Sequence, residues 1–471
     1  MIRERAPQEK ASTAGRRRFG WSGLALIGAL APSEAALAQS ITAPDESLTW
    51  RGITFYGILD IGIQYQTHGA PISDYFSGGS ADIVQKNSNR SVFGATPSNL
   101  SQSRLGLQGI EPIVNDWSAV FRLETFFNPQ SGELSDALKS LAVNNGRSLT
   151  QQTTNVDSSV AGQPFQQSLV GVSSQTYGAL TFGRQTTVLA DGVAKYDPNA
   201  ASQAFALIGL SGATAGGGDT QDRRLDDSVK YVASYGEALH FGALYKLSQA
   251  TAGENTAYQV NIGGEYAGLS VDAYYSKVND GIAAASLSAA NIAALPQLGF
   301  SPSNSLAATV SDNTAFAIMG LYSLDVLKVF AAYEYIRYAN PTHPLPAGFE
   351  DIGGYTLAFV NNSAFPDDKI LQVYWVGVKY TVIPALELTA AYYGYHQNAY
   401  GIGADAGCSS SASGTCSGAE DDISFDADYG LSTHFDAYGG VMYTGVRNGL
   451  ANGYDLHTTD ITSTVGIRYR F

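Results

Sequence analysis

The last eleven residues, ITSTVGIRYRF, alternate by side. Ile461, Ser463, Val465, Ile467, Tyr469 and Phe471 share one face of an extended chain, and Thr462, Thr464, Gly466, Arg468 and Arg470 share the other. Side chains alternate across a strand, so this segment is a strand with one mostly apolar and one polar, cationic face. The same pattern runs from Ile53 to Gln66, where Ile53, Phe55, Leu59, Ile61, Ile63 and Tyr65 oppose Thr54, Tyr56, Asp60 and Gln64. It recurs with Leu105 and Leu107 against Arg104 and Gln108, and with Trp117, Ala119, Phe121, Leu123 and Phe127 against Arg122 and Glu124. Late in the chain Ile423, Phe425, Ala427, Tyr429 and Leu431 oppose Ser424, Asp426 and Asp428. Then Phe435, Ala437, Val441 and Tyr443 oppose Asp436, Tyr438 and Thr444.

Between these strands long polar connections alternate with tight turns. The first long loop follows Gln66 and runs through about Asn99. The others fall at about 128–163, 186–227, 248–255, 278–312, 339–369, 398–421 and 447–460. Short turns lie near residues 111–116, 174–177, 236–237, 268, 324–326, 382–384 and 432–434. Long connections at one end and tight turns at the other are the pattern of a barrel inserted into a bilayer from one side. An apolar outer face meets lipid, a polar inner face meets water, and closure leaves no unpaired edge. We therefore expect an all-β fold, a transmembrane antiparallel β-barrel of about sixteen strands. Residues 283–294 have helical composition but sit inside a loop.

The beginning of the chain does not share this pattern. Arg16–Arg18 form a charged block, Phe19–Ala31 is a short apolar run, and Ala36-Leu37-Ala38 is a small-x-small site before Gln39. This reads as a secretory signal over residues 1–38, cleaved between Ala38 and Gln39, with 39–471 as one barrel domain. Its removal takes the formal charge from −15 to −18, because it carries six basic and three acidic residues. Such an acidic chain argues against a nucleic-acid binder. No later apolar run reaches the length of a transmembrane helix.

Five stretches, in order, carry a family likeness: LTWRGITFYGILDIGIQYQ (48–66), NLSQSRLGLQG (99–109), LVGVSSQTYGALTFGRQ (169–185), DSVKY (227–231) and the terminal IRYRF. With the export signal and the final Phe, the chain resembles the general diffusion porins of Gram-negative bacteria, the trimeric type of proteobacteria such as Burkholderia. The resemblance implies a homotrimer in the outer membrane, in contact with its lipid and lipopolysaccharide. It implies passive diffusion of small hydrophilic solutes and ions, and a third long loop folded into the lumen. Phe471 resembles the terminal aromatic read by the barrel-assembly machinery.

A sixteen-stranded barrel is wide enough to hold an aqueous channel, and something must narrow it. The candidate is the segment 186–227, rich in Ala and Gly, with Asp191, Asp197, Asp219 and Asp222. Arg104 and Arg122, on the inward face of their strands, are expected across from it. By resemblance, Arg104 and the Arg223/Arg224 pair match the basic side of the constriction, with Arg184 a further candidate. In an extended chain Arg223 and Arg224 do not both point inward. Asp191 and Asp197 are either constriction carboxylates or solvated loop charges, and Glu124 is either a selectivity group or a paired wall residue. Relatives often carry basic residues where this chain reads Phe165-Gln166-Gln167, so the expectation is weak charge selectivity. Opposed charged walls would set up a transverse field across the bore.

Cys408 and Cys416, close together in one long loop of an exported protein, are expected to form a disulfide. The six histidines, His68, His240, His343, His396, His434 and His457, make no H-E-x-x-H spacing. No G-x-S-x-G or phosphate-binding glycine loop is present, so neither catalytic residues nor cofactor or metal sites are expected. Two alternatives stay open. One is a solute-specific channel with Tyr393 and Tyr395 as an aromatic track, and the other is an adhesin or receptor acting through its outer loops.

Overall fold

The computed structural model describes residues 48–69, 71–77, 91–148, 151–153, 165–207, 223–236, 238–247, 256–403, 406–409, 413–451 and 457–471. The export segment with Ala38 and Gln39, and Asp219 and Asp222, lie outside the described residues.

Among the described residues, sixteen strands pair antiparallel, each with its sequence neighbour, and close on themselves. They are β1 Ile53–Gln66, β2 in two pieces (Val92–Pro97 and Arg104–Val114), β3 Trp117–Phe126, β4 Phe165–Ser174, β5 Gly178–Thr186 and β6 Arg224–Tyr235. β7 Leu239–Lys246, β8 Ala257–Tyr266, β9 Leu269–Ala285, β10 Ser305–Leu324 and β11 Leu327–Ala339 follow. β12 Lys369–Ile383, β13 Leu386–Gln397, β14 Gly418–Gly430, β15 Phe435–Asn448 and β16 Thr459–Arg470 complete the cylinder. Among the described residues, three α-helices lie in the long loops: α1 Ala137–Val143, α2 Val188–Tyr196 and α3 Ala289–Leu298.

Closure is made by β1 on β16, in register from Ile58↔Arg470 to Gln66↔Thr462. Ile61, Ile63, Val465 and Ile467 stay exposed on the outer face, while Asp60, Gln64, Thr462 and Thr464 are buried on the inner face. That is the inversion expected where lipid, not water, solvates the outside. Phe471 extends the seam, exchanging backbone hydrogen bonds with Gly57 at 2.9 and 3.1 Å. Its ring lies over Gly57, where a Cβ would meet Phe471 Cζ at 2.5 Å. Phe55, Tyr469 and Phe435 continue an aromatic rim, with ring centroids 5.5–6.2 Å apart. Arg468, on the inner face, ties three strands by reaching Asp436 (2.6 Å) and Asp428 (2.9 Å).

Three differences from the sequence reading have physical causes. β2 resumes at Val92, inside the span read as a loop, because residues 98–103 leave the ladder and break its alternation. This excursion is fixed by Asp60, which accepts from the backbone N–H of Leu100 (2.9 Å) and Ser101 (2.8 Å) and from the Tyr438 hydroxyl. β9 and β10 run on to Ala285 and from Ser305, past a bulge at Val278/Gly281, because a loop hairpin supplies β10 with an extra parallel partner, Tyr355–Asn361. The helix near residues 283–294 begins later, at Ala289, where Ser288 and Asn291 form a capping box, and Gly299 in the left-handed conformation ends it.

Candidate functional site

The third long loop leaves β5 and folds against the inner wall. Thr187 caps α2 by accepting from Ala190 N–H at 3.0 Å. Leu189, Val193 and Tyr196 recur along one face of α2, as in an amphipathic helix, and bury that face. They pack on the inward side chains of β9–β13, among them Tyr274, Met319, Ile336, Val373, Trp375 and Tyr393. Trp375 Nε1 donates to the Tyr196 carbonyl at 2.9 Å. Pro198 seats in a notch at Gly377, where a Cβ would stand 2.5 Å from the Pro198 ring. The loop then continues to the far wall. Asn199 Nδ2 donates to Ser424 Oγ (3.1 Å), and the N–H groups of Gln203 and Ala204 donate to the Asn99 carbonyl of the β2 excursion at 2.9 and 3.0 Å. Phe205 packs with Tyr438 and Leu100.

The described charges of this loop are largely consumed in holding it. Asp191, in the first turn of α2, pairs with Lys230 of β6, whose ammonium also donates to the Thr186 carbonyl at 3.0 Å. Lys195, in the last turn, pairs with Glu265 at 2.9 Å. Both placements suit the helix dipole. Asp197 is 2% exposed and accepts from the Tyr393 hydroxyl and the Ala201 N–H, each at 2.6 Å. Burial pushes its carboxyl up to about 6, against the downward pull of those two donors. His240 and Asn261 donate to Asp272 at 2.7 and 2.9 Å beside a small open crevice between α2 and the wall. Tyr393 and Tyr395 are covered by the loop and offer no aromatic track to the bore.

The opposite wall, β1–β6, carries the cations. Glu124 is 2% exposed and sits at the centre of this group. It accepts from the Tyr56 hydroxyl (3.0 Å) and from Gln167 Nε2 (3.3 Å), and it lies 3.6 Å from Arg104 Nε. The neutral Gln167 thus supplies a donor to Glu124 where a basic residue was looked for. Arg122 is held by Gln108 Oε1 at 3.0 Å, and Arg184 by Asp226 at 2.7 Å. Arg224 is 7% exposed, with its guanidinium 4.7 Å from the centroid of Phe126. It feels the attraction of Glu124 and the repulsion of Arg104, Arg184 and Arg223. Arg223 is half-buried at the loop's return, its carbonyl accepting from Thr187 N–H at 3.0 Å. So the structure gathers Arg104, Arg122, Arg184, Arg223, Arg224 and Glu124 on β2–β6, while Asp191 ties the loop to Lys230 of β6 and Asp197 ties it to Tyr393 of β13.

A closed sixteen-strand barrel with an inward third loop is matched by the family model for Gram-negative porins, over residues 23–449. The chain belongs to that family. This porin is therefore a multi-pass protein of the outer membrane, and its apolar outer face is its lipid contact. It is 29% identical over 223 residues to an outer membrane porin protein of Bordetella pertussis, a match covering 47% of each chain, so it aligns with about half the length of that curated relative. In fold it resembles an anion-selective porin from Comamonas acidovorans, with a TM-score of 0.55 and 16% identity over 89% of this chain and 99% of the other. It likewise resembles the outer membrane protein OmpT of Vibrio cholerae, with a TM-score of 0.53 and 14% identity over 90% and 99% of the two chains.

Within the extracellular loops, Cys408 and Cys416 are joined as a disulfide, with Cα atoms 5.3 Å apart. The sequence reading missed the β2 excursion and its knot of Asp60, Asn99 and Tyr438. The one available signal was Asp60, a carboxylate alone among apolar and amide neighbours in the first strand.

Proposed function

We propose that this porin is a water-filled channel for passive diffusion of small hydrophilic solutes and ions, with a modest preference for anions and no enzymatic role. The observation that carries this reading is the imbalance across the bore. Among the described residues the β2–β6 side presents five arginines, Arg104, Arg122, Arg184, Arg223 and Arg224, against the carboxylates Glu111, Glu124, Asp226 and Asp227. In the loop facing them, Asp191 and Asp197 are tied to Lys230 and Tyr393. An excess of cations over carboxylates along the bore concentrates anions and raises their share of the current. The neutral Gln166-Gln167 pair keeps the preference modest. The homotrimer is supported by the family and by a trimer form of the Vibrio protein. Lipopolysaccharide at the outer rim and recognition of Phe471 by the assembly machinery belong to the same reading.

The test is the reversal potential of purified protein in planar bilayers under a potassium chloride gradient. Wild type should read on the anion side, and Arg104→Ala and Arg224→Ala should each move it toward zero. A cation-side reading, or one that neither variant moves, overturns the assignment of the wall.

A further inference from the structure

The extracellular loops are joined across the mouth of the barrel. Segment 127–148 springs from the top of β3, and its helix α1 docks on the hairpin raised from β9 and β10. Leu138 and Leu141 of α1 are 2% and 1% exposed, packed against Ala284, Leu306, Ala308 and Val310 of the raised β9–β10 hairpin. β3 and the β9–β10 pair stand six and seven places apart around a ring of sixteen, nearly opposite. Sixteen tilted strands spaced at about 4.8 Å enclose a cylinder roughly 30 Å across. Residues 127–135 turn back on the top of β3, with Phe127 bridged to Leu134 and the Ser135 N–H donating to the Phe126 carbonyl at 2.9 Å, so α1 starts beside β3 and the raised β9–β10 hairpin reaches in to meet it.

The far end is fastened by polar groups as well as apolar ones. Asn145 Nδ2 donates to the carbonyls of Pro302 (3.0 Å) and Ser305 (2.8 Å), and its Oδ1 accepts from Leu287 N–H at 2.7 Å. That accounts for both amide donors and one acceptor lone pair. Ser286 Oγ donates to the Leu141 carbonyl at 2.7 Å. The near end rests on the first loop, where Asp136 N–H donates to the Tyr75 carbonyl at 2.8 Å and the Lys139 ammonium lies 4.0 Å from the Tyr75 ring centroid.

We propose that segment 127–148 is a strap over the outer mouth that screens solutes by size before they reach the constriction. It divides the opening into two smaller ones, so its cost to a solute rises with the solute's width. It carries no part of the arginine wall, so it acts on size and not on charge. This inference rests on the diffusion-channel reading.

Two variants test it in reconstituted protein. Leu138→Asp/Leu141→Asp places carboxylates in the apolar contact, and Asn145→Ala removes the three amide bonds while leaving that contact intact. Assembly is checked by heat-modifiability on a gel, and strap release by protease cleavage within 127–148. Liposome swelling is measured with a monosaccharide, a disaccharide and a trisaccharide. The released strap should be cleaved in the folded barrel, and the trisaccharide rate relative to the monosaccharide should rise several-fold with the reversal potential unchanged. If the double variant fails to assemble, Asn145→Ala alone carries the test. A cleaved strap with an unchanged size ratio overturns the proposal, as does a strap that stays protected in every folded variant. A wild type that passes no monosaccharide overturns the channel reading itself and the strap with it.

Discussion

Asp197 gives the third long loop a pH dependence whose size follows from its environment. When the loop is docked, the carboxyl is buried against Tyr393 and titrates near 6, above the ordinary value of 3.8 that it regains when the loop swings into water. A carboxyl with a higher docked than free pKa stabilises docking fully below the free value and loses that contribution as pH rises through about 6. The full difference is about 3 kcal/mol, at ~1.4 kcal/mol per unit of pKa. Most of the loss below pH 5 lies outside a practical range. Between pH 5 and pH 8 the remaining change is ~1.4 kcal/mol, or about tenfold in the ratio of docked to undocked loop. In single-channel records the undocked loop appears as brief excursions from the main conductance level, so their occupancy should rise about tenfold from pH 5 to pH 8. Asp197→Asn keeps an acceptor for Tyr393 and carries no charge, so its occupancy should be low and flat across that range. An equal slope in wild type and Asp197→Asn, or a wild-type occupancy that falls with pH, refutes the argument.

Three further outcomes follow from the same contacts. Glu124→Gln removes the carboxylate at the centre of the arginine group while leaving an acceptor for Tyr56, so the reversal potential should move further to the anion side; an unchanged potential would remove Glu124 from the ion path. Gly57→Ala drives a methyl to 2.5 Å from the Phe471 ring and 2.9 Å from the Arg104 carbonyl, which should cost about 1–3 kcal/mol in denaturant unfolding in detergent. That cost should shrink in a Phe471→Ala background, because the two sites share one contact, and strictly additive costs would contradict the seam geometry. Cys408→Ser/Cys416→Ser should leave conductance and reversal potential unchanged while making the loop around residues 406–417 easier to cleave; a loss of current would tie that loop to the pore.

Much of the barrel was legible because a membrane cylinder obeys one local rule along its whole length. Ile423, Phe425 and Tyr429 face lipid, and Ser424 and Asp426 face inward, as alternation requires. Local reading fails where one strand answers to two partners. The β2 excursion is dictated by Asp60 and Tyr438, some 40 and 340 residues away along the chain from Asn99 and Leu100. The extra length of β9 and β10 depends on a parallel partner from residues 355–361, which no pattern within either strand announces.

The constriction loop was legible as a candidate by length and composition, but not where its charges go. Asp191 and Asp197 read as either constriction carboxylates or solvated loop charges, because the loop's own sequence does not say which of its residues turn to the wall. The barrel strands themselves carry the correcting signal. In β12, Val376 and Val378 are apolar on the lipid face, yet Leu371, Val373 and Trp375 are apolar on the inner face too. β10 repeats this with Ala315, Ala317 and Met319, and β13 with Tyr393 and Tyr395. A wall that faces water has no use for such a face, and exposing it would cost about 25 cal/mol for every Å² left wet. Strands apolar on both sides therefore mark the ground that something inside the barrel must cover. Once the third loop lies there, any carboxylate on its underside must find a partner or a proton, and Asp191 and Asp197 do so through Lys230 and Tyr393. The charge that remains in the bore is then what the uncovered wall contributes, and on β2–β6 that is arginine.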